Sequence, residues 1–77
     1  MEITIEYCTM WGYLDKALSL RESIQRKFGV KGKLIKGQGG VFEVTLNNSL
    51  IFIKKELGRF PNENEVEKIL DDYEWIT

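Results

Sequence analysis

The chain has 77 residues, of which 43% are hydrophobic and 30% are charged, and its formal net charge is −1. This composition is typical of a folded globular protein and argues against intrinsic disorder. The charge balance disfavours nucleic-acid binding, because no excess of basic residues is available to neutralise a phosphate backbone. The longest apolar run, residues 50–53, is far shorter than the roughly 20 residues of a membrane span. We therefore expect one domain over residues 1–77, with no nucleic-acid or membrane partner.

The cysteine and histidine content restricts the chemistry further. Cys8 is the only cysteine, so no disulfide can form within one chain, and there is no histidine. The lack of histidine removes the Cys-His dyad and most zinc sites, so hydrolytic chemistry is not expected. The N-terminus lacks the apolar core of a signal peptide, which predicts a cytoplasmic location where a lone thiol stays reduced.

The first half of the chain predicts a β-α-β unit. Residues 2–7 alternate strictly, which places Ile3, Ile5 and Tyr7 on one face of a strand. A helix is expected from Trp11 or Gly12 to Phe28. Its apolar stripe consists of Leu14, Ala17, Leu18, Ile24 and Phe28. Gly29 supplies a left-handed residue to end the helix. A second strand over residues 30–36 is expected to pair parallel to the first through a right-handed crossover.

The middle of the chain predicts a β-hairpin. Residues 37–40, Gly-Gln-Gly-Gly, form a flexible turn that lacks the Lys-Ser/Thr ending of a phosphate-binding loop. Strands are expected over residues 41–46 and 50–55, joined through Asn47 and Asn48, which tolerate the positive φ angles of a tight turn. Residues 50–53 are apolar at every position, which predicts a strand covered on at least part of both faces and leaves an edge-mediated dimer open.

The last element is a helix that begins between residues 61 and 65. Asn62 is placed to cap it, and Glu65 to close a capping box. Its apolar positions are Val66, Ile69, Leu70 and Tyr73. Its acidic residues predict a solvated face rather than a metal site; they are Glu63, Glu65, Glu67, Asp71, Asp72 and Glu74. Near the C-terminus, Tyr73, Trp75 and Ile76 are expected to anchor the helix in the core.

The predicted order is therefore β-α-β-β-β-α, an α+β chain with the layout of a minimal thioredoxin-like domain. Such a domain has a four-stranded mixed sheet and two packed helices. In this layout Cys8 lies where the first strand gives way to the first helix. The partial positive charge and free N–H groups of a first helical turn stabilise a thiolate there. The sequence thus places the candidate reactive group at the strand-to-helix turn.

Three motifs extend the argument to nearly the whole chain: Tyr7-Cys8-x-x-x-Gly12-Tyr13, the Gly-Val-Phe-Glu-Val run of residues 40–44, and Lys54-Lys55. In this order and spacing they resemble the Rdx-type family of selenoprotein W, whose members carry Cys-x-x-Sec or Cys-x-x-Cys followed by Gly-Tyr. The resemblance implies a thioredoxin-like fold and a thiol-redox role, with glutathione or protein thiols as partners and no bound cofactor.

The chain departs from this family at one informative position. Where the family has its second redox-active residue, this sequence has Trp11, so an intramolecular disulfide is impossible. Cys8 would have to act as the catalytic residue of a monothiol oxidoreductase, with a second thiol such as glutathione resolving the mixed disulfide.

The residues of the turn have more than one interpretation. Cys8 is either a small buried hydrophobe or a partly exposed thiol activated chiefly by the helix terminus. Trp11 fills a hydrophobic gap at the helix start, or forms a binding surface with Met10 and Tyr13, or stands where the gene has a selenocysteine codon.

Two functions follow from these interpretations. The first is thiol exchange through Cys8 alone. The second is an interaction module that keeps the fold without the catalysis and binds a protein through the Cys8–Trp11 turn. The residues expected to contact a substrate or partner are Thr9, Met10, Trp11, Gly12 and Tyr13.

Overall fold

The computed structural model describes the backbone of residues 1–76 and the side chains of residues 1–73. Its elements follow one another in a β-α-β-β-β-α-α order. They are β1 (Ile3–Cys8), α1 (Tyr13–Phe28), β2 (Lys33–Gly37), β3 (Phe42–Leu46), β4 (Ser49–Ile53), α2 (Lys54–Leu57) and α3 (Glu65–Ile76). The predicted four-stranded sheet is confirmed, and α2 is an additional short helix. No helix in the described part of the chain is long and apolar enough to cross a membrane.

The sheet is mixed, with strand order β2-β1-β3-β4. β1 pairs parallel to β2 and antiparallel to β3, and β3 pairs antiparallel to β4. The parallel β1–β2 pairing predicted from the intervening helix is confirmed. Pairing with β1 begins at Lys33 rather than Val30, so β2 lies later than the sequence indicated. These pairings place β1, which ends at Cys8, in the interior of the sheet.

The two long helices lie on one face of the sheet, since α1 contacts β1, α3 contacts β4, and the helices contact each other. The alternation of β1 points one set of side chains towards them. The buried hydrophobic residues of this core are Ile3, Ile5, Tyr7, Ala17, Ile24, Phe42, Val44, Leu46, Phe52, Val66 and Leu70. Tyr73 packs against them as predicted. The predicted anchors Trp75 and Ile76 lie outside the described side chains.

The helix and hairpin termini follow from local sequence. Gly12, at φ 87°, precedes α1, and Gly29, at φ 71°, ends it by donating its N–H to the carbonyl of Gln25 at 2.9 Å. Asn47 and Asn48 take positive φ angles of 49° and 72° in the β3–β4 turn. Because both central residues are left-handed, the turn matches the twist of the strands. The predicted hairpin is confirmed.

The predicted C-terminal end of the fourth strand is wrong. β4 ends at Ile53, and Lys54, expected in the strand, begins the one-turn helix α2, which Gly58 closes at φ 73°. A register irregularity between Val44 and Thr45 interrupts the β3–β4 pairing. Leu50 is 54% exposed, whereas Phe52 is 2% exposed and Ile51 packs against the core, so the strand has the partial cover that its apolar run predicted.

The acidic residues before and within α3 do not all lie on a solvated face. Glu65 accepts hydrogen bonds from both Arg59 guanidinium nitrogens, at 2.7 and 3.0 Å, and one from the Asn62 N–H at 2.8 Å. The Arg59 guanidinium, followed by the Asn62 amide, lowers the pKa of Glu65 to about 2. The predicted Glu65–Asn62 contact is therefore present, although α3 begins at Glu65 itself. Glu67 is buried and accepts a hydrogen bond from the Ser23 hydroxyl.

Candidate functional site

Cys8 is the last residue of β1, where the sheet ends and the chain turns towards α1. Its Cα is the parallel partner of Gly37, and its N–H donates to the carbonyl of Val41 at 2.8 Å. The turn from Thr9 to Gly12 then leads into α1, with the Tyr13 N–H donating to the Met10 carbonyl at 3.3 Å. The predicted position of Cys8 at a strand-to-helix turn is confirmed. It faces the loop between β2 and β3.

Backbone N–H groups near Cys8 lower the pKa of its thiol. The N–H of Met10 has the largest effect and lowers the pKa of the thiol; burial acts in the opposite direction; and the N–H groups of Gly40, Thr9 and Val41 lower the pKa further. The net result is a pKa below the ordinary value of a cysteine. Such amides favour the thiolate because they donate to its negative charge, which a neutral thiol does not carry.

These amides differ from those that the sequence predicted. The helix terminus was expected to supply most of the activation, but α1 begins at Tyr13, and none of the four donors belongs to it. They belong instead to the turn that follows Cys8 and to the loop that precedes β3. The prediction that Cys8 is partly exposed is also wrong, since the residue is only 3% exposed. Its catalytic role stays a prediction.

The glycine-rich loop, residues 37–41, has a structural role that the sequence did not reveal. Gly39 and Gly40 have positive φ angles of 70° and 77°. A Cβ atom on Gly37 would lie 2.5 Å from Cγ1 of Val41 and 2.6 Å from Oε2 of Glu6. Glycine at these positions therefore permits the tight path that brings Gly40 and Val41 beside Cys8. In the sequence, the three glycines among residues 37–40 were the signal that could have indicated this role.

An aromatic cluster supports the turn from the helix side. The Tyr13 ring packs edge-on against Phe60 with centroids 4.9 Å apart, and Phe60 packs against Phe42 at 5.2 Å. Lys54 places its Nζ 5.5 Å from the Tyr13 centroid and 5.3 Å from the Phe60 centroid. Neither Phe60 nor Lys54 was predicted to lie at the site, because their contacts with Tyr13 span more than 40 residues. Tyr13 is half-buried in this cluster.

The outer surface of the turn is apolar and exposed. Trp11 is 100% exposed and Met10 is 61% exposed, with Thr9 exposed beside them. The interpretation that Trp11 fills a hydrophobic gap is therefore wrong. Tyr13 belongs to the aromatic cluster rather than to this exposed surface, whereas Gly12 shapes the turn through its positive φ. A contact role for residues 9–13 stays a prediction. The described part of the chain contains no group of three or more acidic or cysteine side chains that could hold a metal ion.

Comparison with known proteins assigns the family. The model of the Rdx family matches residues 2–72, which is nearly the whole chain. The chain belongs to the Rdx family. This confirms the resemblance to selenoprotein W-like proteins that the Cys8 and Phe42 motifs indicated. In this Rdx-family protein, the described site differs from the Cys-x-x-Cys or Cys-x-x-Sec pattern at Trp11.

Solved structures confirm the thioredoxin-like fold of this Rdx-family protein. A selenoprotein W-related protein from Vibrio cholerae superposes with a TM-score of 0.85 at 24% identity, covering 94% of each chain. A protein from Bordetella parapertussis superposes with a TM-score of 0.86 at 27% identity, covering 94% of this chain and 95% of its own.

Two curated relatives match in sequence. They are the Migration and invasion enhancer 1 proteins of Bos taurus and Mus musculus, each 31% identical over 67 residues. The match covers 86% of this chain and 58% of each relative. The Rdx-family chain thus spans little more than half the length of these relatives.

Proposed function

We propose that this Rdx-family protein exchanges thiols and disulfides through Cys8 alone, with glutathione or protein thiols as partners, in a reducing compartment such as the cytoplasm. The observation that supports the proposal is the position of Cys8 at the end of β1, where four backbone N–H groups lower the pKa of its thiol. A thiolate, rather than a thiol, is the nucleophile in such exchange. The amides therefore favour the reactive form of the one sulfhydryl in the chain.

The exchange has two balanced steps. The Cys8 thiolate attacks a mixed disulfide between a protein and glutathione at the glutathione sulfur; a new S–S bond forms, the old one breaks, and the protein leaves as its thiolate. A second glutathione thiolate then attacks the glutathione sulfur on Cys8, which releases the Cys8 thiolate and oxidised glutathione. Cys8 is oxidised in the first step and reduced in the second. Because Trp11 carries no thiol, the second step requires the external reductant.

The burial of Cys8 adds a requirement for access. At 3% exposure the sulfur is shielded from solvent, so attack on a disulfide requires the covering turn to move. Thr9, Met10 and Trp11 are all exposed, so moving this turn breaks few core contacts. The fraction of Cys8 present as thiolate and the rate at which a reagent reaches the sulfur are therefore separate quantities, and each can be measured.

We expect the alkylation rate of Cys8 to rise with pH about a midpoint below that of free cysteine. The lowered pKa leaves more thiolate at neutral pH, and the rate increases as the pH rises through that pKa. Above the midpoint, the limiting rate should stay below that of a free cysteine thiolate because of burial. Iodoacetamide labelling followed by mass spectrometry from pH 5 to 10 measures both quantities.

Cys8→Ser is the matched control, since it removes the single thiol and should give neither alkylation nor an adduct with oxidised glutathione. The wild-type chain should gain the mass of one glutathione, and added reduced glutathione should remove it. A midpoint at or above that of free cysteine, together with no adduct, would contradict the proposed function.

The exposed turn supports a second candidate, a protein-interaction module. Trp11 is fully exposed beside Met10, and exposed tryptophan and methionine side chains are typical of partner sites. In this candidate the surface formed by Met10 and Trp11 binds a protein, and Cys8 is dispensable.

Trp11→Ala is expected to lower the affinity for such a partner at least tenfold, whereas Cys8→Ser leaves it unchanged. Affinity capture with the wild-type and variant chains, followed by titration of the captured protein, compares the two. Leu50→Ala is the control, because Leu50 is 54% exposed but lies in β4. A partner that tolerates Trp11→Ala and is lost with Cys8→Ser is bound through the thiol, which contradicts the module.

A further inference from the structure

A cavity of about 360 Å³ lies beside the candidate thiol. Its lining is formed by the glycine-rich loop, the start of β3 and the start of α2, and consists of Gln38, Gly39, Gly40, Val41, Phe42, Glu43, Lys54 and Lys55. Gly40 and Val41 line it; the Val41 carbonyl accepts the Cys8 N–H at 2.8 Å, and the N–H groups of both residues lower the pKa of the Cys8 thiol. The loop cavity, as we call it, is therefore separated from that sulfur by the backbone of two residues. Its volume lies within the range of about 300–1,000 Å³ that small-molecule sites occupy.

One cationic group in the loop cavity is held in a defined position. The Lys54 ammonium lies over both the Tyr13 and Phe60 rings, and a Cβ atom on Gly40 would lie 3.4 Å from the Tyr13 hydroxyl. The Tyr13 side chain therefore lies next to both the Lys54 ammonium and Gly40. Within the described side chains, no carboxylate lies within ion-pair distance of Lys54. An ammonium fixed by two aromatic rings and lacking an acidic partner is prepared to receive an anionic group.

The other charges of the loop cavity narrow the class of ligand. Lys55 contributes a second ammonium, and Glu43 contributes one carboxylate. A simple dianion would meet the lysines favourably but would be repelled by Glu43. A small molecule with two carboxylates and one ammonium complements all three groups.

We propose that the loop cavity binds the small thiol that exchanges with Cys8, and that this thiol carries carboxylates and an ammonium, with one carboxylate against Lys54. The inference rests on the proposed function, because it assigns a binding subsite to the same thiol exchange. The bound thiol, as its thiolate, attacks the Cys8 sulfur of a mixed disulfide. The bond that forms joins the ligand sulfur to Cys8, the bond between Cys8 and the other thiol breaks, and that thiol leaves as its thiolate with the electron pair, so the ligand sulfur is oxidised and the leaving sulfur is reduced. Lys54 touches the ligand, whereas Tyr13 and Phe60 act as positioning residues for its ammonium.

The test begins with Cys8 converted to its mixed disulfide with 2-thiopyridine. Attack of an added thiol on the Cys8 sulfur releases pyridine-2-thione, whose absorbance gives the rate. The probes are glutathione, which carries the complementary charges, and 2-mercaptoethanol, which is neutral. Lys54→Gln should slow glutathione about fivefold, as expected for one partly exposed ion pair, and change the 2-mercaptoethanol rate less than twofold. Lys54→Arg should restore most of the glutathione rate.

Lys31→Gln is the matched control, because Lys31 is exposed and precedes β2 at the opposite end of the sheet from Gly37. It should leave both rates unchanged. Roughly 1 M salt should remove the contribution of the Lys54 charge to the glutathione rate of the wild-type chain, since the screening length is then about 3 Å. Equal rates for Lys54→Gln and Lys31→Gln with glutathione would overturn the loop-cavity inference and leave thiol exchange intact. If no thiol releases pyridine-2-thione from the wild-type chain, the proposed function itself is wrong.

Discussion

Trp11→Cys is expected to convert the chain from one that accumulates a glutathione adduct into one that closes an internal disulfide. The substitution restores the Cys-x-x-Cys spacing of the selenoprotein W-like pattern, with Cys8 as the attacking thiol. The cost in folding stability is small, because Trp11 is 100% exposed and removing it leaves no cavity. A thiol three residues away acts at an effective concentration on the order of millimolar or more. With micromolar oxidised glutathione, the adduct should therefore fall at least about tenfold.

Intact-mass spectrometry before and after thiol labelling measures this result. The oxidised variant should carry no free thiol and no glutathione, whereas the reduced variant should label twice. Trp11→Ser is the control for loss of the indole, and it should form the adduct as the wild-type chain does. Leu14→Cys controls for the presence of any second exposed thiol, since Leu14 is 44% exposed one helical turn further along. Two free thiols in oxidised Trp11→Cys would show that position 11 does not face Cys8.

The fold was predictable where the signals were local. The strict alternation of β1, the Gly29 stop of α1 and the Asn47-Asn48 turn each depend on a few neighbouring residues, and all three were confirmed. The predicted apolar stripe of α1 was only partly right, because Ala17 and Ile24 are buried whereas Leu14 and Leu18 are 44% and 38% exposed. The helix α2 was missed because its four residues are too few to show a helical period. The partial cover of β4 was predicted, but an apolar run does not say which of its residues a neighbouring element covers, and here Leu50 is the exposed one.

Only the features of the candidate site that depend on neighbouring residues in the sequence were predictable. Cys8 was placed correctly at the end of β1, since strand and helix patterns meet there. Gly40 and Val41, whose N–H groups lower the pKa of its thiol, lie more than 30 residues away in the chain, and nothing in the spacing indicates that they lie beside Cys8. Lys54 and Phe60 lie still further along the chain. The exposure of Trp11 was also beyond the sequence, because a large apolar residue at a helix start packs inward or outward with no change in the local pattern.

Phe42→Ala is expected to destabilise the chain by about 3–5 kcal/mol, because it removes a large buried ring and leaves a cavity. Phe42 is 1% exposed, and its ring contacts Phe60 at 5.2 Å and Phe52 at 6.5 Å between centroids. A domain of this size has a total stability of roughly 4–12 kcal/mol, so the variant should lose at least about a quarter of it. Leu50→Ala, at an exposed position, should change the free energy of unfolding by about 0.5 kcal/mol or less. Urea denaturation followed by far-ultraviolet circular dichroism measures both.

If Phe42→Ala does not fold, Phe42→Leu still allows the free energy of unfolding to be compared with that of the wild-type chain. The leucine variant should lose only part of the stability. Phe42 also links the two sides of the site, because its Cα is the antiparallel partner of Tyr7, beside Cys8, and its ring packs on Phe60. Loosening this ring should therefore expose the thiol, and Cys8 in Phe42→Leu should alkylate faster above its midpoint than in the wild-type chain. A lower free energy of unfolding without faster alkylation would show that the aromatic cluster supports the core alone. Both effects together would show that the same packing which stabilises the fold also shields the sulfur.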